Sequence, residues 1–218
     1  MATGKNFVAI AGNIGTGKTS LTQMLATRFG WVPHLEAVGN NPYLEHFYQD
    51  MKRWSFPLQV YFLTHRFKSH RMIAEGLHSA VQDRSIYEDA HIFARNLYEQ
   101  GQMEKREYHN YLDLYQCMSQ ALQPPDVIVY LKKSLPHLKK GILKRNREYE
   151  KNLPDQYLLD LNRYYEDWFE HYSLGKKLVI ESDSLDFVNQ SEDFDVVCEK
   201  ILGTLDQGDF LLQSTLKA

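Results

Sequence analysis

The segment from Gly12 to Thr19 has the residue types and spacing of a phosphate-binding loop. It reads Gly12-Asn13-Ile14-Gly15-Thr16-Gly17-Lys18-Thr19, which matches G-x-x-x-x-G-K-[ST]. Glycines let backbone N–H groups turn inward around phosphate oxygens, and the N-terminus of a following helix adds partial positive charge. Lys18 would reach the β- and γ-phosphates, and the Thr19 hydroxyl would hold Mg²⁺. The loop therefore predicts binding of a nucleoside triphosphate.

Acidic and basic residues follow two further predicted strands, at the edge where an open parallel sheet binds ligands. Glu36 follows the second strand, and Asp83 and Arg84 follow the third. A carboxylate after the third strand can bind the Mg²⁺ on the phosphates, and the planar guanidinium of Arg84 can spread over phosphoryl oxygens. Glu36 has no cationic neighbour in sequence and could accept a hydroxyl proton. The alternatives are a solvated strand end for Glu36 and a local ion pair for Asp83 and Arg84.

A second cationic cluster lies in the charged segment from Lys144 to Lys151. Such a run is usually the solvated face of a helix. In phosphoryl-transfer enzymes, however, a mobile lid supplies charge when it closes over the triphosphate. Residues 144–153 are therefore predicted to form a lid, with Arg145 and Arg147 as its phosphate-binding groups.

The elements that must position these residues alternate between strands and helices. Short apolar runs predict strands at about 7–11, 31–35, 80–82, 127–131 and 178–180. Helical patterns run from the loop to 29, over about 42–51, 56–76, 87–100 and 105–122, from 134 into the lid, and over about 154–172 and 192–205. This alternation predicts an α/β fold, a doubly wound five-stranded parallel sheet with helices on both faces.

The bulk composition fits an ordinary globular chain. The 218 residues suit one domain, expected at 1–208, with a weakly ordered tail at 209–218. Apolar residues make up 43% and the formal net charge is −3, which argues against disorder and against a broad nucleic-acid-binding face. Cys117 and Cys198 have no partner nearby in sequence and are expected to be reduced core thiols. Without a signal peptide or an apolar run of ~18 residues, we expect a cytoplasmic protein that does not contact membranes.

Together these motifs resemble the deoxynucleoside kinase family, the group of deoxycytidine, deoxyguanosine and deoxyadenosine kinases. The resemblance covers Phe7 to about Ile180 and is closest to the bacterial deoxyadenosine kinase branch. Besides the phosphate-binding loop and Glu36, it is carried by Tyr48 with Arg53-Trp54-Ser55-Phe56, by Gln59 and Arg66, by Asp83-Arg84-Ser85-Ile86-Tyr87-Glu88-Asp89, and by the Arg-x-Arg-x-x-Glu lid at 145–150. It implies a P-loop kinase fold, a deoxynucleoside substrate, ATP and Mg²⁺ as cofactors, and a homodimer.

The resemblance also implies catalytic roles. Glu36 matches the general base that takes the proton from the sugar 5′-hydroxyl, and Arg84 matches the arginine that orients this base and the phosphates. At one position the chain departs from the pattern, because Gly141 stands where relatives carry another basic lid residue. The other implied groups are Lys18, Arg145 and Arg147 on the phosphates, and Thr19 and Asp83 on the Mg²⁺.

A nucleoside pocket follows from the same resemblance. Tyr48 and Glu150 match the pair that holds the 3′-hydroxyl, while Gln59, Arg66 and Asp89 match the groups that contact the base edge. The helical spacing of Gln59, Phe62 and Arg66 agrees with one pocket-facing side. The alternative is that Phe62 and Phe93 are ordinary core and that Arg66 and Asp89 form a structural ion pair. The full predicted set is Glu36, Leu44, Tyr48, Gln59, Phe62, Arg66, Arg84, Asp89, Phe93 (stacked on the base) and Glu150.

These expectations amount to ATP-dependent phosphorylation of the 5′-hydroxyl of a deoxynucleoside in salvage. Deoxyadenosine is expected to be favoured, deoxyguanosine or deoxycytidine next, and thymidine poor, because Gln59 can pair with an amino group that thymine lacks.

Two alternatives stay open. In a monophosphate kinase resembling thymidylate kinase, Glu36 would repel the incoming phosphate by roughly 1 kcal/mol per charge pair in water. In a non-catalytic accessory subunit of the same fold, an intact loop and base would be unnecessary. Tyr108, Tyr111 and Tyr115, on the helix at 105–122, hint at the packing face of the implied homodimer.

Overall fold

The fold is built on a five-stranded parallel sheet. The computed structural model describes residues 4–36, 38–39 and 41–215, with the backbone alone for 207–215. The strands are β1 (Phe7–Gly12), β2 (Val32–His34), β3 (Ala80–Asp83), β4 (Val127–Lys132) and β5 (Lys176–Glu181). All neighbours pair in parallel, in the order β2-β3-β1-β4-β5. The phosphate-binding loop therefore leaves the central strand, and the predicted five-stranded parallel sheet is confirmed.

Nine α-helices occur in the described ranges. They are α1 (Lys18–Phe29), α2 (Leu44–Gln49), α3 (Met51–Glu75), α4 (Ile86–Glu88), α5 (Arg95–Glu99), α6 (Lys105–Gln120), α7 (Leu135–Arg145), α8 (Asp155–His171) and α9 (Ser191–Thr215). A π-helical turn, Asp89–Ala94, joins α4 to α5, and a 3₁₀ turn, Glu148–Glu150, follows α7. The helix predicted at about 87–100 is therefore interrupted by a π-helical turn, an irregularity that is frequent at functional sites.

The apolar strands bury both faces of the sheet. Alternate residues of β1 point to opposite sides, so Ala9 belongs to one core and Ile10 to the other. The core around Ile10 includes Leu21 of α1 and Val197 of α9. The core around Ala9 includes residues of α3, α6, α8 and the π-helical turn. Helices therefore cover both faces, as predicted, and the large aromatic side chains gather on one of them.

Two helix boundaries differ from the sequence-based predictions. Helix α3 begins at Met51 rather than near residue 56, because the Asp50 carboxylate accepts a hydrogen bond from the Arg53 N–H at 3.0 Å and caps the helix. Helix α9 continues to Thr215, ten residues beyond the predicted end at 205. Residues 209–215 of the predicted tail are thus helical, and residues 216–218 lie outside the described residues.

Helix α6 turns its tyrosines inward. Tyr111 is fully buried, and Tyr108 and Tyr115 pack against the core of the same chain. The aromatic residues that hinted at a dimer face are therefore largely used within the chain. Cys198 is buried as expected, whereas Cys117 is exposed and is not a core thiol. Within the described ranges, no helix combines the length and apolar character that crossing a bilayer requires.

Candidate active site

The phosphate-binding loop is held in shape by its own side chains. Gly12, Gly15 and Gly17 have φ values of 146°, 85° and 96°, which residues with a Cβ rarely adopt. Asn13 Nδ2 donates to the Leu158 carbonyl at 2.8 Å and to Asn162 Oδ1 at 2.7 Å, and its Oδ1 accepts from the Ile14 N–H at 2.7 Å. The loop is thus tied to α8 as well as to β1.

Lys18 is buried beneath this loop. Its ammonium group donates to the Asn13 carbonyl at 2.7 Å. Burial, followed by repulsion from Arg84, lowers the pKa of Lys18 to about 7. A bound phosphate would supply the negative charge that this buried ammonium lacks, so the position suits the predicted contact with a triphosphate.

A cavity of about 580 Å³ lies outside the loop and is lined by cationic residues. Lys133, Lys140, Lys144 and Arg145 line it together with residues 182–189. The sequence-based search missed the 182–189 segment. It follows β5 at the carboxyl edge of the sheet, and that position alone could have identified it.

A second cavity, of about 60 Å³, lies on the other side of the loop. All of the predicted substrate-binding residues line it except Asp89, which lies behind Arg66. Ile14 brings the loop to this cavity, and Arg145 lines both cavities. The lining residues that sequence reasoning missed are Val38, Phe47, Leu58 and Tyr157.

Glu36 lies between two guanidinium groups. Its Oε1 is 3.2 Å from Arg84 Nε and also accepts from Arg66 Nη2. Burial raises the pKa of Glu36, but the combined charges of Arg84, Arg66, Lys18 and Arg145 outweigh this effect and lower it to about 2. Its sequence neighbours are uncharged, so only the fold brings these cations to it. The carboxylate is therefore ionised and fixed, in contrast to a solvated strand end.

Arg84 is held in an unusual backbone conformation. Its φ is 65°, one of two positive values among the described non-glycine residues. Nη1 donates to the Tyr165 hydroxyl, and that hydroxyl donates to Glu88 Oε2 at 2.6 Å. The guanidinium carbon also lies 4.5 Å from the centre of the Phe93 ring. Glu88 and Tyr165, both missed as contributors, thus fix the direction in which Arg84 points.

Arg66, one of the residues predicted to contact the base, pairs with both Asp89 and Glu36. Its Nη1 donates to Asp89 Oδ1, its Nη2 donates to Glu36, and its guanidinium lies 5.0 Å from the Phe62 ring centre. Burial raises the pKa of Asp89 to about 6 despite the opposing charge of Arg66. Arg66 Nε and Asp89 Oδ2 are buried without a hydrogen-bond partner, and each would be satisfied by a polar ligand or water.

Within the predicted lid, Arg145 and Arg147 both contact Glu150, and Tyr149 packs on Tyr48 of α2. Arg145 Nε and Nη2 lie 3.1 and 2.5 Å from Glu150 Oε2, and Arg147 Nη1 lies 3.2 Å from Oε1. The two arginines predicted to bind the triphosphate are thus engaged with Glu150 here. Gly141 packs directly on the phosphate-binding loop, since a Cβ at this position would lie 2.9 Å from the Gly15 carbonyl carbon. This close approach explains a glycine in place of a basic residue.

Thr19 and Asp83 fit a magnesium site. The Thr19 hydroxyl donates to Asp83 Oδ2 at 2.5 Å, and Asp83 Oδ1 is buried without a partner. Burial raises the pKa of Asp83, so a nearby cation would stabilise its charged form. One hydroxyl and one carboxylate match the way in which P-loop enzymes hold the Mg²⁺ of a bound nucleotide. No group of three or more potential metal ligands occurs in the described part of the chain.

Comparison with known proteins identifies the family. The model of the deoxynucleoside kinase family matches residues 8–205. The chain is 37% identical over 202 residues to the deoxyadenosine/deoxycytidine kinase of Bacillus subtilis, covering 92% of this chain and 93% of that protein. It is 38% identical over 207 residues to the deoxyguanosine kinase of Lactobacillus acidophilus, covering 91% and 90%.

A solved structure supports the same assignment. The structure of deoxyadenosine kinase from M. mycoides with dCMP and dCDP bound superposes with a TM-score of 0.79 at 28% identity, covering 90% of this chain and 99% of that one. Because the relatives are kinases of deoxynucleosides, the monophosphate kinase and the non-catalytic subunit are both set aside. This chain belongs to the deoxynucleoside kinase family and transfers phosphate from ATP to a deoxynucleoside.

Proposed function

We propose that the preferred substrate is deoxyadenosine, with deoxyguanosine or deoxycytidine next, and that Glu36 is the catalytic base. The observation that carries this proposal is the position of Glu36, where the nucleoside cavity meets the phosphate-binding loop, between Arg66 and Arg84. A nucleoside whose base lies near Arg66 would bring its 5′-hydroxyl toward Glu36. Arg66 would then contribute both to recognition of the base and, through its ion pair with Glu36, to the position of the proton acceptor.

The reaction needs little covalent chemistry from the protein. Glu36 accepts the 5′-hydroxyl proton, and the oxygen forms a bond to the γ-phosphorus as the bond to the β–γ bridging oxygen breaks. The products are the deoxynucleoside monophosphate and ADP. Lys18 neutralises charge on the phosphates, and Arg84 holds Glu36 and faces the transferring group. Arg145, which lines both cavities, would move from Glu150 toward the triphosphate.

We place magnesium at Thr19 and Asp83. The unpartnered Asp83 Oδ1 and the neighbouring Thr19 hydroxyl support this position. When bound with ATP, Mg²⁺ would neutralise charge on the phosphate oxygens. Asp83 also interacts electrostatically with Lys18, which would keep the metal-binding and phosphate-binding groups in one region.

The preference for deoxyadenosine rests on polar groups in the pocket. Gln59 is buried and lines the cavity, and its amide can pair with the amino group and N7 of adenine. The same amide could serve cytosine, and the names of the relatives include deoxyadenosine, deoxycytidine and deoxyguanosine kinases. Thymine presents a carbonyl where adenine has an amino group, so it would leave the Gln59 carbonyl unpaired.

A homodimer and a reducing cytoplasmic setting complete the proposal. The homodimer rests on the family resemblance, and the reducing setting rests on the two free cysteines. Tyr111 of α6 is buried within the chain, whereas Tyr108 and Tyr115 are half-buried and Leu114 is exposed, so the outer side of α6 is the proposed dimer face. Light scattering of the purified protein would show about twice the mass of 25.6 kDa if the dimer forms.

One experiment tests the substrate assignment. The purified chain is incubated with ATP, Mg²⁺ and each of the four deoxynucleosides, and kcat/KM is measured from ADP release. We expect deoxyadenosine to give the highest value and thymidine the lowest. Thymidine as the best substrate would contradict the assignment of Gln59, Arg66 and Asp89 to the base edge.

A further inference from the structure

Tyr149 is the lid residue that contacts α2. It lies in the 3₁₀ turn between Glu148 and Glu150, and its ring stacks on the ring of Tyr48 in α2. The ring centres are 5.3 Å apart and the planes differ by 18°. Among the described residues, no hydrogen bond or ion pair joins this turn to α2. The aromatic stack is therefore the direct side-chain contact described between the two elements, beside weaker electrostatic interactions of Tyr48 with Glu150 and of Tyr149 with Glu45.

The neighbours of Tyr149 in the turn point elsewhere. Glu150 is buried and lines the nucleoside cavity, where Arg145 and Arg147 hold its two carboxylate oxygens. Glu148 is exposed and pairs with Lys151. Tyr149 itself does not line the cavity, so any effect on the substrate must pass through a residue that does.

Tyr48 is that residue. It lines the cavity and sits between two rings, Tyr149 on its face and Phe47 at its edge, with centres 5.3 and 5.0 Å away. Its hydroxyl also interacts electrostatically with Glu150 and Tyr157, so it faces the cavity side of the lid. With Phe47 buried on one side, the direction of the Tyr48 ring depends on whether Tyr149 covers the other.

We propose that Tyr149 is a positioning residue that fixes Tyr48 against the sugar when the lid is closed, and so couples lid closure to selection of the 3′-hydroxyl. The inference rests on the proposed function and on the role that the family resemblance implies for Tyr48 and Glu150, the pair that would hold that hydroxyl. In such an enzyme, the closed lid stabilises bound substrate only when the sugar has a 3′-hydroxyl that can hydrogen-bond to Tyr48. A 3′-deoxygenated sugar gains nothing from the stack, because it has no hydroxyl for Tyr48 to meet.

The test compares the best deoxynucleoside with its 2′,3′-dideoxy counterpart, which lacks the 3′-hydroxyl. For each enzyme, kcat/KM is measured with both, and their ratio is the readout. In Tyr149→Ala we expect the ratio of kcat/KM for the deoxynucleoside to that for the dideoxynucleoside to fall about three- to tenfold, which corresponds to the free energy of one aromatic pair. The fall should come from lost activity on the deoxynucleoside alone. Tyr149→Phe keeps the ring and should keep the ratio of the unaltered protein.

Two further variants separate positioning from a general effect on the lid. Lys151→Ala alters an exposed pair in the same segment and should leave the ratio unchanged. Tyr48→Phe should lower the ratio by itself, and adding Tyr149→Ala should lower it little further, since both act through one hydroxyl. An equal loss on both substrates in Tyr149→Ala, or no loss, would overturn the inference. If the unaltered protein phosphorylates no deoxynucleoside, the proposed function fails instead.

Discussion

The two cavities on either side of the phosphate-binding loop are built in different ways. The cavity outside the loop, of about 580 Å³, is bordered by three short segments of chain: the contiguous residues 15–20, the cationic residues between 133 and 145, and residues 182–189. The nucleoside cavity, of about 60 Å³, is bordered by side chains from α2, α3, α8, the π-helical turn and the lid, and by Glu36, which contacts both Arg66 and Arg84. The phosphate-binding loop depends on the backbone geometry of consecutive residues. The nucleoside cavity depends on tertiary contacts between residues that are distant in sequence.

This difference predicts how each side responds to mutation. On the nucleoside side, Arg66 touches both Asp89 and Glu36, so a change to one residue alters several contacts. Removing one partner of such a buried group leaves the other charge uncompensated. On the triphosphate side, Lys140 and Lys144 are exposed and make no contact with the described buried charges of the other side, whereas the loop depends on glycines with positive φ. Activity should therefore be most sensitive to changes of charge among the residues of the nucleoside cavity, and to changes of backbone shape in the phosphate-binding loop.

Replacing the proposed base should give the largest effect. Glu36→Gln keeps the shape of the side chain but removes the proton acceptor, and loss of a general base lowers the rate by about 10²–10⁴. We expect kcat to fall within this range, by a far larger factor than deoxynucleoside binding weakens, because the amide oxygen of the introduced glutamine can still accept hydrogen bonds from Arg66 and Arg84. Glu45→Gln, at an exposed position of α2, serves as the matched control. Near-normal turnover of Glu36→Gln would show that Glu36 is not the base.

The lid arginines should give the next largest effect. Both contact Glu150, so Arg147→Ala tests whether the arginine acts on the phosphate or only holds the lid closed. Loss of one arginine that stabilises the transition state costs on the order of 10³ in rate. We expect kcat to fall more than the KM for deoxynucleoside rises, as measured by steady-state kinetics.

The control for this variant is Arg163→Ala, whose side chain is 66% exposed on α8. A raised KM with an unchanged kcat for Arg147→Ala would assign this arginine to binding alone, and equal effects on both, or none, would return it to a solvated face. The same measurement on Arg145→Ala tests the residue that borders both cavities.

Local patterns in the sequence predicted one side of the site better than the other. The phosphate-binding loop is eight consecutive residues, and Asp83 with Arg84 directly follows a strand, so their positions followed from sequence order. The contact between Arg66 and Glu36 joins residues 30 positions apart, and that between Arg84 and Tyr165 joins residues 81 apart. No periodicity encodes such pairs. They arise where tertiary packing brings α3, α8 and two strand ends together.

The same limit applies to backbone detail. Apolar periodicity predicted a helix over about 87–100. It could not show the π-helical turn from Asp89 to Ala94, because the spacing of apolar residues in this stretch is the same as in a regular α-helix. The αL conformation of Arg84 was equally invisible, since arginine has no preference for it. Both features lie at the nucleoside side, where buried charge and tertiary contact override local preference.

The smallest expected effect tests the shape of the loop. Gly141 lies inside α7 without a positive φ, so helix propensity alone predicts that Gly141→Ala stabilises the protein by about 1 kcal/mol. The new Cβ would instead overlap the Gly15 carbonyl oxygen and lie 2.9 Å from its carbon, and that neighbour is backbone that cannot rotate away. Overpacking of this kind costs about 1–3 kcal/mol. We therefore expect a lower Tm and a KM for ATP that rises more than the KM for deoxynucleoside.

Gly203→Ala in α9 is the matched control. At this position a Cβ meets nothing within 4 Å, so the change should raise the Tm and leave both KM values unchanged. If both variants are stabilised alike and the KM for ATP is unchanged, the loop does not depend on this close approach.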